Sequence, residues 1–166
     1  MGRKDTTALL SKLTEEMINP NKDTRIYWAK EVTFDYGTLN HVRVDYMQFK
    51  PVNNTVSGIE KGDFYCYEIK SSIEDFNSKN GHNLIGDYNY YVMPTEVFEK
   101  VKSEIPYRVG VYTYNGYENT LMSVKKARRS DRTKSVLEML LMMFRSANRV
   151  INNNLKRGTK IEELEL

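Results

Sequence analysis

The stretch that decides the fold is FYCYEIKSS, residues 64–72. It is crowded with the aromatic and branched residues that are typical of a β-strand. Glu68 and Lys70 stand two residues apart at its end. Because strand side chains alternate, both point to the same face of the predicted strand. Two charged side chains therefore lie next to each other on one face of a mostly apolar strand.

The segments around this strand predict a sheet covered by helices. We predict strands over residues 25–35, 41–49, 63–70, 88–93, 108–114 and 120–124 from their aromatic and β-branched residues. Helical spacing predicts helices over residues 7–17 and 94–104. A third, short helix begins at Ser71 or Ser72, since both match a capping box. Strands that alternate with helices indicate an α/β fold (mixed α+β) with a mixed central sheet.

The C-terminal quarter differs in composition from the rest of the chain. KKARRSDRTK, residues 125–134, carries six positive charges and one negative charge. We predict a core over residues 1–124, a basic connector over 125–134, an amphipathic helix over 135–153 and a polar tail over 154–166. Seven apolar residues share one stripe of that helix: Val136, Leu137, Leu140, Leu141, Phe144, Ala147 and Ile151. This stripe is either part of the core or the face of a homodimer.

Composition narrows the class of protein. The 166 residues favour one domain, and a net charge of +3 permits a nucleic-acid partner without requiring one. The lone cysteine, Cys66, allows no internal disulfide, which fits a reducing compartment. We see no signal peptide and no stretch of roughly 20 apolar residues, so we expect no membrane partner and a cytoplasmic location.

Asp45 extends the polar feature at Glu68 and Lys70 to a second strand. It lies in the middle of HVRVDYMQF, residues 41–49. If the second and third strands are neighbours, all three side chains converge at one end of the sheet. Two carboxylates favour a hard cation such as Mg²⁺ or Mn²⁺, and the lysine can hold a phosphate or orient a water molecule. This equipment suits metal-assisted phosphodiester hydrolysis.

The same residues carry a family resemblance. Asp45 followed by Glu68-Ile69-Lys70, in a chain ordered helix, three strands, helix, strand, resembles the PD-(D/E)XK nuclease superfamily. YEIKSSIEDF, DYNYYVMP and VGVYTY are similar to its MmcB-like DNA repair branch. Val44 stands where the motif's name has proline, and the segment between Asp45 and Glu68 is long.

The resemblance implies a restriction-endonuclease-like core and a Mg²⁺-dependent nuclease that acts on DNA in repair, recombination or a mobile element. Asp45 and Glu68 would be the metal ligands and Lys70 the catalytic lysine. The alternative is a DNA- or protein-binding module on the same fold that does not cut. For each residue alone a simpler explanation exists, such as an exposed ion pair between Glu68 and Lys70.

Other residues are weaker candidates. Relatives often add an acid, for which we choose Glu31, with Glu15 and Glu16 as alternatives. Contacts to nucleic acid are predicted at six residues: Lys79, His82, Lys125, Lys126, Arg128 and Arg129. The competing interpretation of these six is a solvated loop and a solvated linker. Asp75 is expected at a helix start and Asp87 in a turn.

Overall fold

The fold is built on one mixed sheet of six strands in the order in which they occur along the chain. The computed structural model describes the backbone of residues 2–164 and the side chains up to residue 158. The strands are β1 (Tyr27–Phe34), β2 (Val42–Lys50), β3 (Asp63–Ile69), β4 (Tyr88–Pro94), β5 (Gly110–Tyr114) and β6 (Met122–Lys125). All six strands predicted from the sequence are present, with shifts of a few residues at their ends.

Strand direction changes in the middle of the sheet. β1, β2 and β3 are antiparallel neighbours, whereas β3, β4 and β5 are parallel, and β6 returns antiparallel to β5. Parallel neighbours need crossover connections, which here contain the helices that follow β3 and β4. The predicted mixed sheet with flanking helices is therefore confirmed.

Five helices accompany the sheet within the described residues: α1 (Arg3–Ile18), α2 (Val56–Glu60), α3 (Ile73–Asn77), α4 (Thr95–Val101) and α5 (Val136–Leu164). α1 begins four residues earlier than predicted. α2 is a single turn inside the long connection between β2 and β3, and Thr55 caps it by accepting a hydrogen bond from the Gly58 amide.

The helices bury both faces of the sheet. Leu10 and Ile18 of α1 pack on one face against Tyr46, Tyr67 and Val92. On the other face, α5 covers β1 and β2, while α3 and α4 cover β4 and β5. Burying a large apolar side chain stabilises a fold by about 1.5–3 kcal/mol, so these contacts fix the helices on the sheet.

α5 differs from its prediction in two ways. Its fully buried residues are Met139, Met143 and Ser146, and Val136 and Leu140 of the predicted stripe pack against the same core. Leu137, Leu141 and Phe144 of that stripe are more than half exposed. It also continues to Leu164, so residues 154–164 of the predicted polar tail are helical. Residues 165 and 166 lie outside the described part of the chain. Within residues 2–164, no helix has both the length and the apolar character needed to cross a membrane.

The turn from β3 into α3 has the predicted capping. Ser72 precedes α3, and its hydroxyl accepts a hydrogen bond from the Asp75 amide at 3.1 Å. The Asp75 carboxylate in turn accepts from the Ser71 amide at 2.9 Å. β3 ends at Ile69, and these local bonds start the short helix at Ile73. Asp75 is thus the helix-start residue that the sequence indicated.

Candidate functional site

Asp45 and Glu68 meet where β2 and β3 separate. The last residue pair of the two strands is Tyr46 with Tyr67, and Asp45 and Glu68 are the next positions outward. Beyond that pair the Ile69 amide has no strand partner on β2, and it donates instead to Asp45 Oδ2 at 2.9 Å. The two carboxyl groups are within hydrogen-bonding contact of each other. Loss of strand pairing therefore creates the place where the acids converge.

Desolvation is the largest influence on the pKa of both acids, of which Glu68 is buried and Asp45 is half-buried. Glu68 is 3% exposed, and burial, followed by the nearby Asp45 carboxylate, raises the pKa of Glu68 to about 8. Burial also raises the pKa of Asp45, although the hydrogen bond from Ile69 opposes that rise. Two contacting carboxyl groups favour a shared proton at neutral pH in the absence of a cation. A divalent cation would replace that proton.

Lys70 ends beside these acids. Its side chain is 1% exposed, and Nζ donates to the Asn80 carbonyl at 2.6 Å and, more weakly, to the Asp75 carbonyl at 3.5 Å. Among the described residues, no carboxylate oxygen lies within 4 Å of Nζ. Burial lowers the pKa of Lys70, whereas the charges of Asp75, Glu68 and Asp45 oppose that change. The amine therefore lies close to Glu68 without being consumed in an ion pair with it.

A cleft of about 470 Å³ opens onto this cluster. Asp45, Glu68 and Lys70 line it together with Arg43 and Lys79. Asp45 also lines a second cleft of about 710 Å³, which runs between α1 and the β1–β2 hairpin. All three predicted residues line this cleft, in which Asp45 is partly exposed while Glu68 and Lys70 are almost fully shielded from solvent.

The donor set fits a hard divalent cation. No group of three or more histidine, cysteine, aspartate or glutamate side chains within the described residues is arranged to hold a metal ion. Mg²⁺, however, commonly uses only one or two carboxylates and completes its shell with water and substrate phosphate. Two contacting carboxyl groups, both with raised pKa, are the oxygen ligands such a site needs.

The predicted additional acids lie outside the cluster. Glu31 has a left-handed backbone (φ 52°), and its exposed carboxylate faces Arg43 at 3.8 Å. It lines the second cleft with Asp45 but does not line the one that contains Glu68 and Lys70. Glu15 also lines the second cleft and accepts from Lys30 Nζ and the Tyr46 hydroxyl. Glu16 is on the surface, where it pairs with Lys12.

The loop after α3 contains two predicted phosphate contacts, Lys79 and His82, and only Lys79 lines the cleft. Lys79 is exposed and lines the cleft, a position from which it can reach a bound phosphate. His82 does not line the cleft: its Nε2 donates to the Phe76 carbonyl at 2.8 Å, and its Nδ1 accepts from the Tyr91 hydroxyl at 2.7 Å. Its ring thus has a structural role in place of the predicted phosphate contact.

The basic connector lies at the opposite end of β3. Arg129 pairs with Asp63 at 2.7 Å, and both Arg129 and Arg132 pair with Asp87. Asp63 begins β3, whereas Lys70 directly follows it, so roughly 20 Å of strand separates the two groups.

The other three predicted phosphate contacts of the basic connector also lie away from the cleft that contains Lys70. Lys125 Nζ donates to the Pro106 carbonyl at 2.8 Å, and the Arg128 guanidinium lies over the Tyr107 ring. Lys126 is exposed on the same segment. None of these three residues lines the cleft that contains Lys70.

Three residues around the site were missed in the sequence. Asn83 Nδ2 donates to the Arg43 carbonyl at 2.7 Å and to Glu68 Oε1 at 3.3 Å. Asn80 accepts from Lys70, and Gly81 lies against both Lys70 and Glu68. The Asn-Gly pair in NSKNGHN was the available signal, because it predicts a tight turn at a defined position.

Comparisons with known proteins add information about the fold alone. No family model matches the chain, and no curated protein matches it. A solved structure of a protein of unknown function from Silicibacter pomeroyi is similar, with a TM-score of 0.58 and 17% sequence identity. The similarity covers 94% of this chain and 92% of that one. The two proteins therefore share an architecture over nearly their whole length.

Proposed function

We propose that this protein hydrolyses phosphodiester bonds of DNA in a metal-dependent reaction, as a nuclease of the PD-(D/E)XK type on a restriction-endonuclease-like core. The observation that carries the proposal is the convergence of Asp45, Glu68 and Lys70 at the end of β3, in a cleft open to solvent. The Asp and the E-x-K residues come from neighbouring strands, as the resemblance in the sequence requires.

Each residue has a defined part in this proposal. Asp45 and Glu68 would hold Mg²⁺ or Mn²⁺, which supplies Lewis acidity and a bound water of lowered pKa. The Lys70 amine lies near Glu68 and has a pKa lowered by burial. It would orient the attacking water by a hydrogen bond and stabilise the negative charge that develops on the phosphate.

The surroundings favour an anionic polymer as substrate. Arg43 and Lys79 line the same cleft as the two acids and both are exposed, so they could contact backbone phosphates. Such contacts give affinity that does not depend on base sequence and that weakens with salt. We assign no sequence-reading element to the protein.

The test is a cleavage panel in Mg²⁺ and in Mn²⁺ on linear, nicked, branched and single-stranded DNA, with RNA in parallel. We expect metal-dependent cleavage by the wild-type protein and its loss in both Asp45→Ala and Lys70→Ala. Absence of cleavage on every substrate, or undiminished cleavage in both variants, would refute the proposal.

A non-catalytic binding module on the same fold is the second candidate. The bond of 2.6 Å between Lys70 Nζ and the Asn80 carbonyl favours it, because that bond occupies the amine in the unliganded protein. Calorimetry separates the two functions. A binding module retains DNA affinity but shows no heat of Mg²⁺ or Mn²⁺ binding, whereas the nuclease shows both.

A further inference from the structure

We propose that residues 79–83, here called the clamp loop, hold Glu68 and Lys70 in their working positions, with Asn83 as the positioning residue for Glu68. This inference rests on the proposed function of the site and deepens it. The clamp loop connects α3 to the segment that leads into β4, and it lines the cleft with four of its five residues.

Asn83 holds the carboxyl group of Glu68 by a hydrogen bond to one of its two oxygens. Its Nδ2 donates at 2.7 Å to the Arg43 carbonyl, which anchors the amide to β2, and at 3.3 Å to Glu68 Oε1. The hydrogen bond from Asn83 favours the ionised form of Glu68, against the effect of burial. Asn83 thereby links the two strands that carry the acids.

Lys70 is held by the middle of the same loop. Its Nζ donates to the Asn80 carbonyl. Gly81 comes next, with φ of +70°, and a methyl group on it would lie 2.8 Å from Lys70 Nζ and 3.3 Å from Glu68 Oε2. The first distance is shorter than a Cβ contact permits. Only glycine therefore allows the backbone to close over both side chains without moving them.

His82 explains why this loop is fixed in place. Because Nε2 faces two carbonyl oxygens, those of Phe76 at 2.8 Å and Ser78 at 3.1 Å, it carries the proton. Nδ1 then accepts from the hydroxyl of Tyr91, which is 1% exposed on β4. The imidazole thus ties the loop to α3 on one side and to the sheet on the other.

These contacts hold Glu68 and Lys70 in place before any ligand binds, so the site is preformed. Residues that orient a metal ligand typically change metal affinity by about 10–100-fold when they are replaced. Asn83 has that relation to Glu68, because its amide donates to the Glu68 carboxyl group.

The first experiment measures Mn²⁺ binding by calorimetry and by electron paramagnetic resonance, without DNA. We expect Asn83→Ala to weaken Mn²⁺ binding by at least about tenfold. The control variant Asn119→Ala, at an exposed asparagine outside both site clefts, should bind as the wild type does. Unchanged Mn²⁺ affinity in Asn83→Ala, with a wild type that binds Mn²⁺, would overturn the proposal.

The second experiment does not depend on the proposed nuclease function. In metal-free protein, peptide mapping after mild acylation reports the reaction rate of each lysine amine. We expect Lys70 to be protected in the wild type and to react at least severalfold faster in Gly81→Ala and His82→Gln. If circular dichroism shows that both variants are folded and Lys70 is acylated as slowly as in the wild type, the clamp loop does not hold Lys70.

These readouts separate the two hypotheses. Suppose that the wild type binds no Mn²⁺ and cuts no DNA, but Lys70 is acylated slowly in the wild type and faster in the clamp-loop variants. This result would refute the nuclease function and support the role of the clamp loop. A wild type that cuts DNA, together with an Asn83→Ala variant of normal Mn²⁺ affinity and a Gly81→Ala variant of normal Lys70 protection, would do the reverse.

Discussion

The two ends of β3 carry charge in different ways. At its C-terminal end, Asp45, Glu68 and Lys70 are brought together in a cleft, and the lysine has no carboxylate oxygen within 4 Å among the described residues. At its N-terminal end, Arg129 and Arg132 of the basic connector pair with Asp63 and Asp87. Both clusters were expected to meet nucleic acid, but in the second the arginines are already paired with carboxylates.

Asp87 explains the second cluster. It is 2% exposed, accepts from the Phe64 amide at 2.8 Å and faces Arg132, which is itself largely buried. Its carbonyl also accepts from the Ser130 amide. A buried carboxylate requires such partners, so these arginines serve to dock the connector onto the sheet. A dense charge run in a sequence therefore does not by itself indicate a binding surface.

The largest expected difference between the two ends is in cleavage. Lys70→Ala should lower the rate by about 10³-fold, within the range typical of losing a residue that transfers or positions a proton. Arg129→Ala should change the rate by less than about twofold. Single-turnover cleavage at saturating Mg²⁺ measures both. Equal losses in the two variants would show that the connector belongs to the site.

The largest loss of stability is expected from a substitution at the N-terminal end of β3. Asp87→Ala leaves the Phe64 amide without its acceptor and Arg132 without its buried carboxylate partner, so we expect a loss of about 3 kcal/mol in the free energy of unfolding. Urea denaturation measures this value. Asp131→Ala, at an exposed acid of the same connector, should stay within about 0.5 kcal/mol of the wild type. A cost below about 1 kcal/mol for Asp87→Ala would contradict the docking role.

The pH dependence of stability should identify Glu68. Its pKa in the folded protein is about 8, above the ordinary glutamate value of 4.5, so the folded state binds an extra proton between these two pH values. Stability of the metal-free protein should therefore fall as pH rises from about 5 to 8, by up to about 1.4 kcal/mol per pH unit. Urea denaturation at four pH values in this window measures the slope. Glu68→Gln should flatten this slope. If the variant keeps the wild-type slope, a group other than Glu68 binds the proton.

The smallest effect concerns phosphate contacts. Lys79→Ala should weaken DNA binding less than about tenfold and reduce the salt slope of log K by about 1, because one phosphate contact is lost. Lys126→Ala is the matched control, since Lys126 is an exposed lysine on the connector. Fluorescence anisotropy across a salt series measures both. A reduced slope in Lys126→Ala as well would extend the DNA surface to the connector.

Dimerisation through α5 stays a prediction. Leu137, Leu141 and Phe144 are exposed at 81%, 54% and 62%, so the helix presents an apolar face that its own sheet does not cover. The predicted stripe, either core or dimer face, is divided, because Val136 and Leu140 pack on the core beside Met139 and Met143 while Leu137, Leu141 and Phe144 stay exposed. The stripe could not be divided from the sequence because methionine and leucine are equally apolar.

The sequence by itself determined the local elements of this protein. Alternating and helical periodicities predicted the six strands and the helices before and after them, and the Ser72–Asp75 capping box placed the turn after Lys70. These features depend on neighbours within a few residues, so they can be found without the rest of the fold. The position of Glu68 and Lys70 at one strand end was predictable for the same reason.

Only the tertiary structure decided which distant residues meet these elements. Asp45 reaches Glu68 because β2 and β3 are neighbours that separate beyond Tyr46 and Tyr67, and Asn83 joins them from a loop fixed by His82. Asp87 takes the arginines of the connector in the same way. Sheet order and burial set these encounters, and neither leaves a periodic signal in the sequence.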